Sequence, residues 1–181
     1  MVPAVATLPV PSPHGRGGDR DITVFSRMVQ RTASRGIGQL RAAFCVAMTD
    51  IDEARRFLAD NHHGILATYR RDGKVQQSPV TSGLDASGRV IISVTEDRAK
   101  ARNARRDPRL SLCVFSDAFF GSWVQVEGTA ELVDGPDRID ALVDYYRRLS
   151  GEHPDWPEYR AAMERDRRVL LRFEIERASG L

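Results

Sequence analysis

The stretch GILATYRRDGKVQQSPVTSGLDASGRVIISVT, residues 64–95, decides the fold. GILATYR and VQQSPVTSGL read as strands, and the RDGK between them holds the Asp-Gly pair that closes a tight hairpin. DASG turns the chain again and RVIISVT follows as a third strand, so the three form an antiparallel meander. Upstream, Asp50 with Glu53 three residues later makes a capping-box-like helix start, and Ile51, Ala54, Phe57 and Leu58 share one helical face. Gly64 is placed to close that helix in a left-handed conformation.

Downstream, DRAKARNARRD, residues 97–107, has little β-branching and runs into Pro108, which predicts a short helix. RLSLCVFSD and SWVQVEGTAELVD are two further strands joined by AFFG. Residues 137–149 place Ile139, Leu142, Val143, Tyr146 and Leu149 on one stripe, residues 155–166 form another helix, and RVLLRFEIE is a last strand. Hairpin-joined strands with few βαβ crossovers predict a mainly β fold with flanking helices: a six-stranded antiparallel barrel, not a doubly wound sheet.

A chain of 181 residues that is 41% hydrophobic and 29% charged suits one soluble domain. It contains no apolar run of about 18 residues, so no membrane span is expected. Six of the 27 basic and two of the 25 acidic side chains fall in residues 1–47, leaving 21 basic against 23 acidic beyond. That balance offers no broad basic face and argues against nucleic acid as a partner. Residues 1–47 include the Pro/Gly-rich VATLPVPSPHGRGGDRD and are expected to be a disordered extension or to follow a mis-chosen start codon. The domain proper is expected over 48–181.

Cys45 and Cys113 make no CxxC and no disulfide framework, which fits a reducing cytoplasm. His62 and His63 are adjacent, so on a helix their side chains would diverge by about 100°. No metal site is expected. GxSxG and HExxH are both absent, so no nucleophile or zinc-bound base is indicated.

Chemistry concentrates where the third strand meets the following helix: Ser93, Val94, Thr95, Glu96, Asp97, Arg98, Ala99, Lys100. A helix start offers unpaired N–H groups and a positive dipole end, while Arg98 and Lys100 add cations and Ser93 and Thr95 add hydroxyls. Together these suit a phosphate. Lys100 is one of only two lysines in the chain, the other being Lys74 in a hairpin turn. The competing reading is that Arg98, Arg102, Arg105 and Arg106 are the solvated face of a surface helix. Glu96 and Asp97 would repel a phosphate unless they point away.

GILATYRRDGKVQQSPV, VIISVTEDRAKARNARRDPRLSLCVF and WVQVEGTAEL together resemble the pyridoxamine 5′-phosphate oxidase-like FMN-binding split barrels, over residues 50–177. Within them the chain is most similar to the branch that uses the deazaflavin coenzyme F420. The resemblance implies a homodimer of six-stranded split barrels with two cofactor sites at the subunit interface. It implies that Arg98 and Lys100 bind the cofactor phosphate with Ser93, Val94 and Thr95 at the strand end, and that Asn103 braces the helix or reaches the same region. Gln76, Ser78, Pro79 and Val80 would lie along the ring, and Trp123 would approach from the partner side or serve as an ordinary core aromatic. Pro79 replaces the small polar residue often seen there and removes one N–H donor.

The function implied is hydride transfer from reduced F420 to a small unsaturated or quinone-like acceptor. The alternatives are a non-catalytic F420 or flavin carrier or sensor, and an FMN-dependent oxidase. F420 carries an acidic oligoglutamate tail, which the arginines at 102, 105 and 106, and those at 167 and 168, would welcome. FMN has none.

Overall fold

The structure is a computed structural model that describes residues 49–118 and 121–180. The extension expected over 1–47 lies outside the described residues, as do Met48 and the two phenylalanines of the AFFG loop.

Helix α1 (Ile51–Asp60) begins as its capping residue dictates: the Asp50 carboxylate accepts from the backbone N–H of Asp52 at 2.8 Å and of Glu53 at 3.2 Å. It buries Ala54 and Leu58 and ends at Asn61, whose backbone is extended. Gly64 therefore does not close the helix. It lies in β1 (His63–Tyr69), opposite Val114 of β4 (Arg109–Phe115), where a Cβ would stand 2.7 Å from the Cys113 carbonyl oxygen. The close pairing of two backbones, not a left-handed cap, is what requires glycine there.

β1, β2 (Val75–Leu84) and β3 (Val90–Thr95) form the meander, and helix α2 (Ala99–Arg106) leads into β4, which pairs with the free side of β1. β5 (Trp123–Thr129) pairs with β4; one residue later β6 (Glu131–Val133) pairs with β7 (Arg168–Phe173) instead. β8 (Arg177–Gly180) pairs with β5. The order is β6-β7-β3-β2-β1-β4-β5-β8, antiparallel at each of its seven pairings.

The sheet thus has eight strands, not the six expected. WVQVEGTAELVD is broken at Ala130 into two strands that join different partners, and RASG supplies an eighth that has no β-branched residue to announce it. Because β5 and β6 are one residue apart yet belong to opposite flanks, the sheet must curl. Gly128 permits the corner: a Cβ there would lie 2.2 Å from the Glu174 carbonyl oxygen and 2.7 Å from the Phe173 ring.

Alternation along β3 and β7 divides inside from outside. Val90, Ile92 and Val94, with Val169, Leu171 and Phe173, enter the main core. Ile91 and Leu170 face outward and are covered by Leu142 of helix α3 (Arg138–Ser150). Helix α4 (Trp156–Arg165) is tied to α3 by the Tyr159 hydroxyl, which donates to the Leu142 carbonyl at 3.0 Å. Ser93, Thr95 and Arg168 continue the outward rows past the edge of α3, so that end of the sheet surface stays open.

Gly128→Ala is expected to cost about 1–3 kcal/mol, because the added methyl meets backbone that cannot give way. A shift of the urea midpoint at unchanged m-value measures it, and an unchanged midpoint contradicts the corner assignment.

Candidate anion-binding cleft

The site follows from the register of β3 and β7. Thr95 pairs with Arg168, and the Arg168 guanidinium lies across the strand end: Nε donates to Ser93 Oγ at 3.1 Å, one terminal nitrogen to Thr95 Oγ1 at 3.3 Å, the other to the Ser93 carbonyl at 3.4 Å. From the start of α2, Lys100 Nζ donates to Ser78 Oγ at 3.3 Å and to the Pro79 carbonyl at 3.5 Å. Arg98 precedes the helix as its N-cap residue. The three cations line one cleft of about 730 Å³ with the apolar surfaces of Ile65, Pro79, Val80 and Phe115.

No carboxylate lies within ion-pair reach of Arg98, Lys100 or Arg168 among the described residues. The acids that threatened to repel an anion are drawn off: Glu96 faces Arg105 at 3.4 Å and Asp97 faces Arg167 at 3.4 Å. The Lys100 ammonium feels the result. Burial, then Arg168 and Arg98, hold its pKa below the ordinary 10.5. Tyr145 of α3 lines the cleft too, donating its hydroxyl to the Thr81 carbonyl at 2.9 Å, and burial pushes its pKa up while Arg168 opposes the rise.

Of the residues singled out from the sequence, Pro79, Val80, Ser93, Val94, Thr95, Arg98 and Lys100 line the cleft and Ser78 touches Lys100. Gln76 and Asn103 do not line it. Thr68 Oγ1 donates to Gln76 Oε1 at 3.3 Å and accepts from Asn103 Nδ2 at 3.1 Å, a network that pins α2 to β1 and β2. Asn103 is 6% exposed and acts as a brace. Trp123 stands 42% exposed at the start of β5, opposite Phe115 in the register, and is not part of the cleft wall of its own chain. Sequence reasoning missed Tyr145, because the helical stripe was drawn through its neighbour Tyr146. It also missed His63 and Phe115, which lie on the outward row of their strands.

Among the described residues no cluster of three or more His, Cys, Asp or Glu could hold a metal, and no helix is long and apolar enough to cross a membrane.

The model of the pyridoxamine 5′-phosphate oxidase family matches residues 51–181. The chain belongs to that family. Its fold recurs in solved structures of a conserved hypothetical protein from Mycobacterium tuberculosis (26% identity, TM-score 0.59, covering 75% of this chain and 85% of that one). It recurs in an F420 reductase (24% identity, TM-score 0.54, 69% of this chain and 94% of that one). A heme-binding protein from Mycobacterium smegmatis shares it as well (22% identity, TM-score 0.55), with 75% of this chain aligned to 55% of that one. The pyridoxamine 5′-phosphate oxidase fold thus serves proteins with differently named ligands, and the residues of the cleft must decide for this member.

A lysine whose folded pKa is depressed costs stability at every pH where it is charged in both states, and the cost fades as pH rises from the depressed value to the ordinary one. Lys100→Met is therefore expected to raise the melting temperature of the ligand-free protein at pH 7. The same change is expected to reduce the further rise that inorganic phosphate confers on the wild type. A variant that melts below wild type at pH 7 and responds to phosphate as fully as the wild type contradicts this placement.

Proposed function

We propose that this member of the pyridoxamine 5′-phosphate oxidase family is an F420-dependent oxidoreductase acting on a small unsaturated or quinone-like acceptor. The observation that carries the reading is the convergence of Arg98, Lys100 and Arg168 on one cleft without a facing carboxylate. Three cations held together repel one another, and a phosphate removes that repulsion while accepting charge-assisted hydrogen bonds from all three. The adjoining strip of Ile65, Pro79, Val80 and Phe115 suits a flat ring. The residues present therefore fit a phosphate-bearing cofactor with a planar head.

When bound, reduced F420 supplies a hydride to an acceptor lying on its face. The chain's own work is placement. Arg98, Lys100 and Arg168 hold the phosphate; Ser93 and Thr95 orient the Arg168 guanidinium; the Thr68–Asn103 network keeps α2, and with it Lys100, in position. The apolar strip excludes water beside the ring. No protein nucleophile is needed.

The working unit is a homodimer in this reading. Val75, Pro79, Ile65, Cys113, Phe115 and Trp123 share one outward face by strand register, and Val75 and Trp123 are the exposed large hydrophobics among the described residues. The inward residues of SLCVF, Leu112 and Val114, already fill their own barrel. It is the opposite face that a second copy would cover, bringing Trp123 toward the partner's cleft. A cytoplasmic location fits the free Cys113.

FMN is the second reading, and one observation favours it. Of the arginines suited to an acidic tail, Arg105 faces Glu96 and Asp134, and Arg167 faces Asp97. Titration of the purified protein with each cofactor separates them: F420 is expected to bind and FMN to bind far more weakly, with Lys100→Ala costing about 1–3 kcal/mol of affinity. Acceptor-dependent oxidation of reduced F420 is expected over a carrier's tight binding without turnover. A yellow protein as purified, or unchanged affinity in Lys100→Ala, overturns the assignment.

A further inference from the structure

A second depression, of about 370 Å³, lies where α2 approaches the β1–β2 turn, and it shares no residue with the cleft. Four arginines, Arg70, Arg71, Arg102 and Arg106, line it with Ala99 and Asn103. On α2 the positions 99, 102, 103 and 106 fall on one face, and Lys100 points about 100° away from it. The two basins therefore open on different sides of one helix.

Their charge is only partly answered. Arg70 has Asp72 at 3.5 Å, and Arg106 donates to the Tyr69 carbonyl and to Asn103 Oδ1. Neither Arg71 nor Arg102 has a carboxylate within ion-pair reach among the described residues. Asn103 is buried and fastened to Thr68, so the basin is built on a fixed side chain and not on mobile arginine stems alone. From this geometry we infer that Arg70, Arg71, Arg102 and Arg106 form a second anion site, independent of the cleft, for a small phosphate-bearing ligand of at least two negative charges. The planar fork of arginine meets phosphate oxygens two at a time, and several forks around one basin select a compact, multiply charged anion over a single carboxylate. A polynucleotide would need a basic face extending well beyond the basin, which a chain with 21 basic and 23 acidic side chains after residue 47 does not offer.

Calorimetric titration with inorganic pyrophosphate tests it on the full chain. Wild type is expected to bind at two sites per chain. The double variant Arg71→Gln/Arg102→Gln, altered at exposed positions, is expected to weaken one site by about tenfold or more and leave the other, while Lys100→Met leaves the arginine site. One wild-type site lost in Lys100→Met, or a double variant that titrates like wild type, overturns the inference. One wild-type site that survives Lys100→Met and is lost in the double variant upholds it and rejects the cleft as a phosphate site. If F420 added to the pyrophosphate-loaded protein empties both sites, the basin belongs to the cofactor's acidic tail and the independent site is overturned.

Discussion

Closure of the sheet at one corner sets the position of everything on its outer surface. β5 and β6 are separated by Ala130 alone, yet β5 belongs with β4 and β8 while β6 belongs with β7. The chain can satisfy both only if the sheet curls until its flanks meet, and it can turn that tightly only because residue 128 has no side chain to strike the Glu174 carbonyl and the Phe173 ring. With β6 in place, β7 is held against β3 along six paired residues. That pairing puts Arg168 beside Ser93 and Thr95, and the cleft follows from it.

Electrostatically the cleft is a place where the fold accepts a cost. Arg98, Lys100 and Arg168 would each be more stable beside a carboxylate, and two carboxylates are close in sequence. Arg105 and Arg167 instead draw Glu96 and Asp97 aside. These exposed pairs contribute little to stability in themselves; their consequence is directional, since they keep negative charge out of the basin.

Much of this was legible beforehand because it depended on neighbours in sequence. The Asp-Gly and DASG turns, the Asp50 cap and the proline after α2 are local devices, and each acts within a few residues of where it is written. Arg98 and Lys100 stood out for the same reason: strand end, helix start and cation fall within eight residues. What was hidden depends on pairing across the chain. Nothing in VEGTAEL shows that its two halves choose different partners, and RASG becomes a strand only because β5 offers a free edge. Arg168 lies 73 residues from Thr95 and was grouped with an acidic tail, whereas the register makes it the third cation of the cleft. Tyr145 escaped because one helix face serves the core and the next residue round serves the site.

In the proposed function an anionic group docks on Arg98, Lys100 and Arg168. A crystal structure of the protein grown with F420 tests it most directly. The cofactor phosphate is expected within hydrogen-bond distance of all three side chains, with the ring along Pro79 and Val80. Density for the phosphate elsewhere, with those three side chains solvated, would contradict it.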